Sequence, residues 1–357
     1  MSCMKPLAMS KEVQLKTGKR KFISLAALKN ENEHDSFVMD NRYYTIPCRQ
    51  CLGCRMDYAK QWAIRCMHEA SLHENNVFLT LTYDQNNIPN FGNLIYRDFQ
   101  LFIKRLRKKY PREKGDEISY FVAGEYGEKT LRPHYHAIIF NFDFSDKKFL
   151  KKSFSKENYY TSEICSNLWN NQGHIIIGSV TFQSAGYVAR YISKKQGMNQ
   201  DHSFYDQKPD DFVNVSNQYV QRKFTSENTE REYYKYYKKN EVYQRMDAKT
   251  GEIYYVEPEF ARMSLKPAIG KRWLDKYDTD IYNQDQLIFD KKRVKIPKYY
   301  DNLYSKKNEE HFLEIKQNRI NNMENNNNLQ KENTYARLKV RLNNLQDKCT
   351  KLIRSKV

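Results

Sequence analysis

Residues 117–142 read "EISYFVAGEYGEKTLRPHYHAIIFNF", and no other stretch constrains the fold more. Two segments rich in β-branched and aromatic residues, 117–127 and 133–142, are separated by a short polar link. Strands joined that closely return antiparallel, because a parallel return needs a crossover of a dozen or more residues. Upstream, "VFLTLTY" (77–83) reads as a further strand. In "YRDFQLFIKRLRKKY", Phe99, Phe102, Ile103, Leu106 and Tyr110 recur at helical spacing. A helix near 162–170, a strand at "HIIIGSV" and a helix from about Phe182 to Lys195 complete the order β-α-β-β-α-β-α. That order predicts an α+β domain, an antiparallel sheet with helices packed on one face.

Composition divides the chain further. Residues 1–75 form an N-terminal segment with a cysteine cluster and a helix, and 76–200 form the α+β domain. Residues 201–300 are a polar, Tyr/Lys-rich insertion followed by a return, "EPEFARMSLKPAIGKRWLDKY", whose Trp273 is expected to pack on the core. The segment 301–357 holds a low-complexity linker, "NNMENNNNLQKEN", and a C-terminal helix. In that helix Tyr335, Leu338, Leu342, Leu345, Cys349 and Leu352 alternate in steps of three and four. The stripe covers under three heptads, which favours a docking helix over a dimerising coiled coil and leaves the oligomeric state open.

The chemistry begins with "RPHYHAIIF". Side chains two apart on a strand share a face, so His134 and His136 present paired imidazoles. Eight histidines in 357 residues yield only about 0.2 such pairs by chance, so the pair carries information. Two imidazoles make an incomplete site for a hard cation. Glu125, in the preceding strand, can complete it, whereas Glu128 falls in the connecting loop. Such a site suits Mg²⁺ or Mn²⁺ acting on phosphate, with zinc as the rival ion.

In "GYVARYISKK", Tyr187 and Tyr191 lie one helical turn apart, followed by Arg190 and Lys194. Spacing alone decides nothing, since 28 tyrosines give about two such pairs by chance and the chain has three, with Tyr233/Tyr237 and Tyr300/Tyr304. Beside a metal on phosphate, however, two phenols on one helix face become candidate nucleophiles. Forming a phenolate at pH 7 costs about 4 kcal/mol, and Arg190 and Lys194 supply positive potential that lowers this.

The formal net charge of +18 points to a polyanionic partner. No apolar run approaches a membrane span and no signal-peptide pattern opens the chain, so nucleic acid inside a cell is expected rather than a membrane surface. Lys104, Arg105, Arg107, Lys108 and Lys109, on the polar side of their helix, are the candidate DNA contacts. Cys48, Cys51 and Cys54 in "PCRQCLGCR" are spaced for metal rather than disulfides, as a reducing cytoplasm requires.

Together these motifs resemble the HUH endonucleases, and among them the two-tyrosine rolling-circle replication initiators of microviruses, of the gokushovirus type. The resemblance rests on "CRQCLGCR", "QWAIRCMHE", "FLTLTYD", "GEYG…RPHYHAIIF", "AGYVARYISKK" and "MSLKPAIGKRW", in order over about residues 45–275. It implies an RRM/ferredoxin-like core, with His134 and His136 as paired metal ligands and Glu125 as the third. Tyr187 and Tyr191 would be the nucleophiles, with Lys194 the basic residue that follows them. It further implies nicking of one origin strand, a 5′-phosphotyrosine link, a free 3′ hydroxyl, and later rejoining by the second tyrosine. The partners would be single-stranded and origin DNA with the host replication helicase and polymerase, in the cytoplasm of an infected bacterium. Tyr135 departs from the hydrophobic residue expected between the histidines. For the cysteines, the resemblance favours Cys3 as fourth ligand of a structural Zn²⁺ site. Cys66 and His68 are alternatives, and an iron–sulfur cluster is a further one. Competing readings are a non-catalytic, zinc-dependent basic DNA-binding protein and a related relaxase or transposase.

Overall fold

The computed structural model describes residues 3–13, 20–28, 30–40, 42–127, 130–153, 156–196, 243–246, 253–324 and 331–352. For 13, 91, 191–196, 243–246, 253–256, 323–324 and 348–352 it describes the backbone alone. In chain order the elements begin with β1 (Leu7–Val13), β2 (Arg20–Ser24), α1 (Glu31–Met39), β3 (Tyr43–Ile46) and α2 (Leu52–Ala70). They continue with β4 (Asn76–Tyr83), α3 (Tyr96–Lys109), β5 (Ser119–Tyr126), β6 (Pro133–Phe140), β7 (Lys148–Lys152) and β8 (Asn158–Thr161). Next come α4 (Glu163–Leu168), β9 (Gly173–Gly178), α5 (Phe182–Gln196), β10 (Tyr243–Met246), β11 (Ile253–Val256) and β12 (Phe260–Met263). The last are α6 (Lys271–Tyr282), β13 (Leu287–Phe289), β14 (Lys292–Val294), α7 (Lys298–Lys307), α8 (Glu309–Glu324) and α9 (Tyr335–Leu352). The chain divides into two units, Met1–Ile64 with Leu274–Val357, and Arg65–Trp273.

In the Arg65–Trp273 unit a seven-stranded sheet runs in the order β12-β5-β6-β4-β9-β8-β7, every described pair antiparallel. Alternation decides its faces. Val77, Leu79, Leu81 and Tyr83 of β4 meet Tyr135, Ala137 and Ile139 of β6 in one buried cluster with Phe99, Phe102, Ile103 and Leu106 of α3 and Cys165 and Leu168 of α4. Each large apolar side chain so buried contributes about 1.5–3 kcal/mol of transfer free energy, which seats α3 firmly. The α+β antiparallel class is present, with α3 and α4 forming the helical layer on that face. Helix α5 lies on the other: its Tyr187 reaches Glu125, which contacts His134 and His136, the even residues of β6.

The order β-α-β-β-α-β-α recurs as β4-α3-β5-β6-α4-β9-α5. Two additions come from pairings that local pattern does not announce. A hairpin, β7–β8, extends one sheet edge, and β12 closes the other by pairing Phe260 with Gly124. A Cβ at Gly124 would lie 2.6 Å from Phe260 Cε1, so only glycine lets that ring cross the strand. The return segment is clamped to α2. Arg65 donates Nε and Nη2 to the Ile269 carbonyl (3.1 and 2.9 Å), His68 stacks on Trp273 at 3.5 Å, and buried Glu69 accepts the Gly270 N–H (2.8 Å) and Arg272 Nη2 (3.2 Å). "QWAIRCMHE" and "MSLKPAIGKRW" therefore form one interlocked feature.

In the other unit β2-β1-β3 form a three-stranded antiparallel sheet, with Ala8, Leu25 and Val38 of α1 buried together. Helix α9 docks on α1, where the Tyr335 N–H donates to Asp35 Oδ1 (2.7 Å) and the Tyr335 ring meets His34 edge-on at 5.6 Å. Residues 298–324 form α7 and α8 where local pattern marks no helix. They are held by partners distant in sequence, Tyr304 stacked on Tyr282 at 3.8 Å and Arg319 Nε donating to Asp285 Oδ2 at 2.8 Å. The insertion residues 201–242, with Tyr233 and Tyr237, Glu128, the linker residues 325–330 and the side chains of Cys349 and Leu352 lie outside the described residues.

Candidate active site

Register assembles the first site. Glu125 of β5 stands opposite His134 of β6, and Thr82 and Thr80 of β4 stand opposite His134 and His136. Glu125 Oε1 lies 2.8 Å from His134 Nε2 and 2.7 Å from His136 Nε2, and it accepts the Tyr187 hydroxyl proton at 2.5 Å. Tyr135, between the histidines, turns to the opposite face and is buried in the α3 cluster, its hydroxyl donating to the Ile95 carbonyl at 2.8 Å.

The imidazoles are oriented from behind. His134 Nδ1 lies 3.0 Å from the Arg132 carbonyl, which can only accept, so Nδ1 carries a proton there. His136 Nδ1 lies 2.9 Å from Thr80 Oγ1. With both Nδ1 atoms engaged, both Nε2 atoms face Glu125, the orientation that outer hydrogen-bond partners impose on metal-ligating histidines. An octahedral ion with bonds of about 2.1 Å needs adjacent ligand atoms about 3 Å apart, close to the separations here. The donor set of two nitrogens and one carboxylate oxygen thus fits a divalent cation.

Burial alone would raise the Glu125 pKa, but hydrogen bonds from both imidazoles and from Tyr187 outweigh it and hold the carboxyl well below the usual range. Burial would lower His134 as well. There the Glu125 hydrogen bond prevails and raises it, whereas desolvation prevails at His136 and lowers it.

Tyr187 meets His136 edge-on at 5.0 Å, and the Arg190 guanidinium lies 5.0 Å from the Tyr187 ring centroid. Tyr191 and Lys194 follow within α5, but their side chains lie outside the described residues. The candidate DNA contacts on α3 are not brought to this site, since α3 covers the opposite face. Two of them have internal roles: Arg105 Nε donates to the Leu168 carbonyl (2.7 Å), and Arg107 Nε and Nη2 donate to that of Ile118 (3.1 and 2.6 Å). Lys104, Lys108 and Lys109 remain exposed.

The second site lies in the Met1–Ile64 unit. Cys3, Cys48, Cys51 and Cys54 bring their sulfurs within 4.8 Å of one another, all as free thiols. Cys3 Sγ lies 3.6 Å from Cys48 Sγ and 3.8 Å from Cys51 Sγ. Four thiolates at about 2.3 Å around a tetrahedral ion would be about 3.8 Å apart, so the cluster has the dimensions of a closed metal site. The Met4 and Cys48 amides donate to Cys51 and Cys3 sulfurs at 3.2 and 3.3 Å. Hydrogen bonding from Cys3 lowers Cys48 to about 6. Cys66 is buried outside the cluster, and His68 is committed to Trp273.

Residues 76–196, which hold all of the first site, match the family model of the replication-associated protein ORF2. Over 278 residues, 76% of this chain and 71% of the relative, the sequence is 34% identical to the replication-associated protein VP4 of Bdellovibrio phage phiMH2K. The chain belongs to the replication-associated proteins of microviruses. It is also 34% identical to the replication-associated protein ORF2 of Spiroplasma virus 4, over 56% of this chain and 62% of the relative. The replication-associated protein ORF4 of Chlamydia phage 1 is 32% identical over 43% of this chain and 39% of its own length. No solved structure matches. No described helix is long and apolar enough to cross a membrane.

Sequence reasoning misses Thr80 and the Arg132 carbonyl. A signal for Thr80 is there: Thr80 and Thr82 in "FLTLTY" alternate with buried residues and so share one face.

Proposed function

We propose that this replication-associated protein initiates rolling-circle replication by nicking one strand of origin DNA. The observation that carries the reading is the convergence of the Tyr187 hydroxyl, His134 Nε2 and His136 Nε2 on one oxygen of Glu125. Glu125, His134 and His136 would hold Mg²⁺ or Mn²⁺, which when bound polarises the scissile phosphodiester and its leaving oxygen. Tyr187 is oriented by Glu125, which accepts its proton, and Arg190 adds positive potential at the ring. The phenol oxygen attacks phosphorus and the bond to the 3′ oxygen breaks. That oxygen takes up a proton, leaving a 5′-phosphotyrosine link and a free 3′ hydroxyl. One phosphodiester replaces another at little net cost, so the link stores the means of rejoining. Tyr191 acts as the second nucleophile and Lys194 as its cationic neighbour.

Cys3, Cys48, Cys51 and Cys54 hold a structural Zn²⁺ in this reading. Lys104, Lys108 and Lys109 face flanking duplex from the α3 side. The host replication helicase and polymerase take over at the 3′ hydroxyl in the bacterial cytoplasm.

The test incubates the full chain with Mn²⁺ and labelled single-stranded origin DNA. A covalent adduct that survives denaturation is expected, with the linked residue mapped to Tyr187 or Tyr191. Tyr187→Phe should lower its yield by about 100-fold or more on a substrate that allows one cut. Adduct formation unaffected in both Tyr187→Phe and His136→Ala would overturn the reading.

A further inference from the structure

With α3 on the far side of the sheet, its cations are poorly placed to hold the strand being cut. Register shows which cations share the His136 face. Across β4, His136 pairs with Thr80, and Thr80 pairs with Ile176 of β9. Tyr160 of β8 pairs with Ile177, which places Thr161 beside Ile176, and Thr161 pairs with Lys148 of β7. His136, Thr80, Ile176, Thr161 and Lys148 therefore form one row across the sheet. The adjacent row ends in Tyr159 and its partner Lys151, and Tyr159 lies against Gly178 on this same face. The bulge between Phe149 and Lys151 is what turns both lysines, three residues apart, to one side.

Thr80, Ile176, Tyr159 and Thr161 along these rows are only half-buried, and all five residues of β7 are exposed. Neither Lys148 nor Lys151 is paired with a carboxylate among the described residues, while the neighbouring Lys147 is held by Asp143 at 2.5 Å. Phe149, at 60% exposure, leaves an aromatic ring among these lysines on the sheet's last strand. Lysine on an edge strand commonly blocks edge-to-edge pairing, but a bare phenylalanine beside it works against that purpose. Cations with accessible rings suit the backbone and bases of a single strand. From β6 to β7 the row crosses four strand spacings, about 19 Å.

We infer that Lys148 and Lys151 form the outer rim of a single-stranded DNA track that begins at the His136 site and crosses β4, β9 and β8. The inference rests on the nicking reading only for where the strand starts. It is tested by binding, without cleavage, using fluorescently labelled oligo(dT) of about 20 nucleotides and the full chain, with salt varied and no divalent metal. Removing two phosphate contacts should reduce the slope of log affinity against log salt by about 1.4, an affinity loss of about 25-fold near 0.1 M salt. Lys148→Ala/Lys151→Ala should show both, with unchanged circular dichroism and thermal midpoint because the side chains are exposed. Affinity and slope like wild type would overturn the track. So would the same loss appearing in Lys104→Ala/Lys108→Ala/Lys109→Ala instead, or a loss confined to duplex DNA. His134→Ala/His136→Ala should keep the wild-type slope while losing the covalent adduct, so the track and the nicking reading fail separately.

Discussion

Thr80→Val tests whether the paired imidazoles are a metal site set by its surroundings or two histidines that happen to meet a carboxylate. Valine keeps the shape and β-propensity of threonine and removes the hydroxyl 2.9 Å from His136 Nδ1. To bind a cation through Nε2, His136 must carry its proton on Nδ1, and in the variant that N–H loses its partner. An unsatisfied buried donor costs about 1–3 kcal/mol. Because 14% of the His136 side chain is exposed, some water reaches it and the lower half of that range applies. A cost of about 1–2 kcal/mol is about a 5- to 30-fold loss of affinity, in keeping with the removal of a hydrogen bond that orients a metal ligand. Calorimetric titration with Mn²⁺ at pH 7.5 should show this loss in Thr80→Val and recovery in Thr80→Ser, with little change in urea midpoint. Equal Mn²⁺ affinity in Thr80→Val and wild type would refute the argument that Thr80 fixes the ligand tautomer.

Other outcomes follow from the same reasoning. Cys51→Ser should abolish one bound zinc per chain, read by colorimetric release, and lower the thermal midpoint to that of chelator-treated wild type; full zinc content in the variant would exclude the four-sulfur site. Glu69→Ala should cost about 3–5 kcal/mol in urea unfolding, since it strips the Gly270 N–H and Arg272 of a buried carboxylate, and Glu69→Gln should cost less. Burial lowers His68 from 6.5 to about 4. The folded state thus resists protonation, and stability present above pH 6.5 is lost as pH falls toward 4. About 2 kcal/mol should disappear between pH 7 and pH 5 in wild type and be retained in His68→Phe. Identical pH profiles for the two proteins would show that His68 is not the group responsible.

Much of this protein is legible because strands and helices carry their periods locally. Alternation with a period of two puts His134 and His136 on one face and Tyr135 on the other. The 3.6-residue stripe of Phe99, Phe102, Ile103 and Leu106 announces the buried side of α3. Period tells which residues of one element travel together. It does not tell which partner they meet, because that is set by register and by contacts closed over long loops. The same helix shows the limit: Arg105 and Arg107 read as free cations, yet the carbonyls of Leu168 and Ile118 take them. Glu125 is within nine residues of His134, so a tight antiparallel return suffices to foresee their meeting. Thr80, 56 residues from His136, Cys3, 45 from Cys48, and Phe260, opposite Gly124, are brought into contact by sheet pairing and chain closure alone. Those pairings depend on the free energy of the whole packed unit, to which no short window of sequence has access.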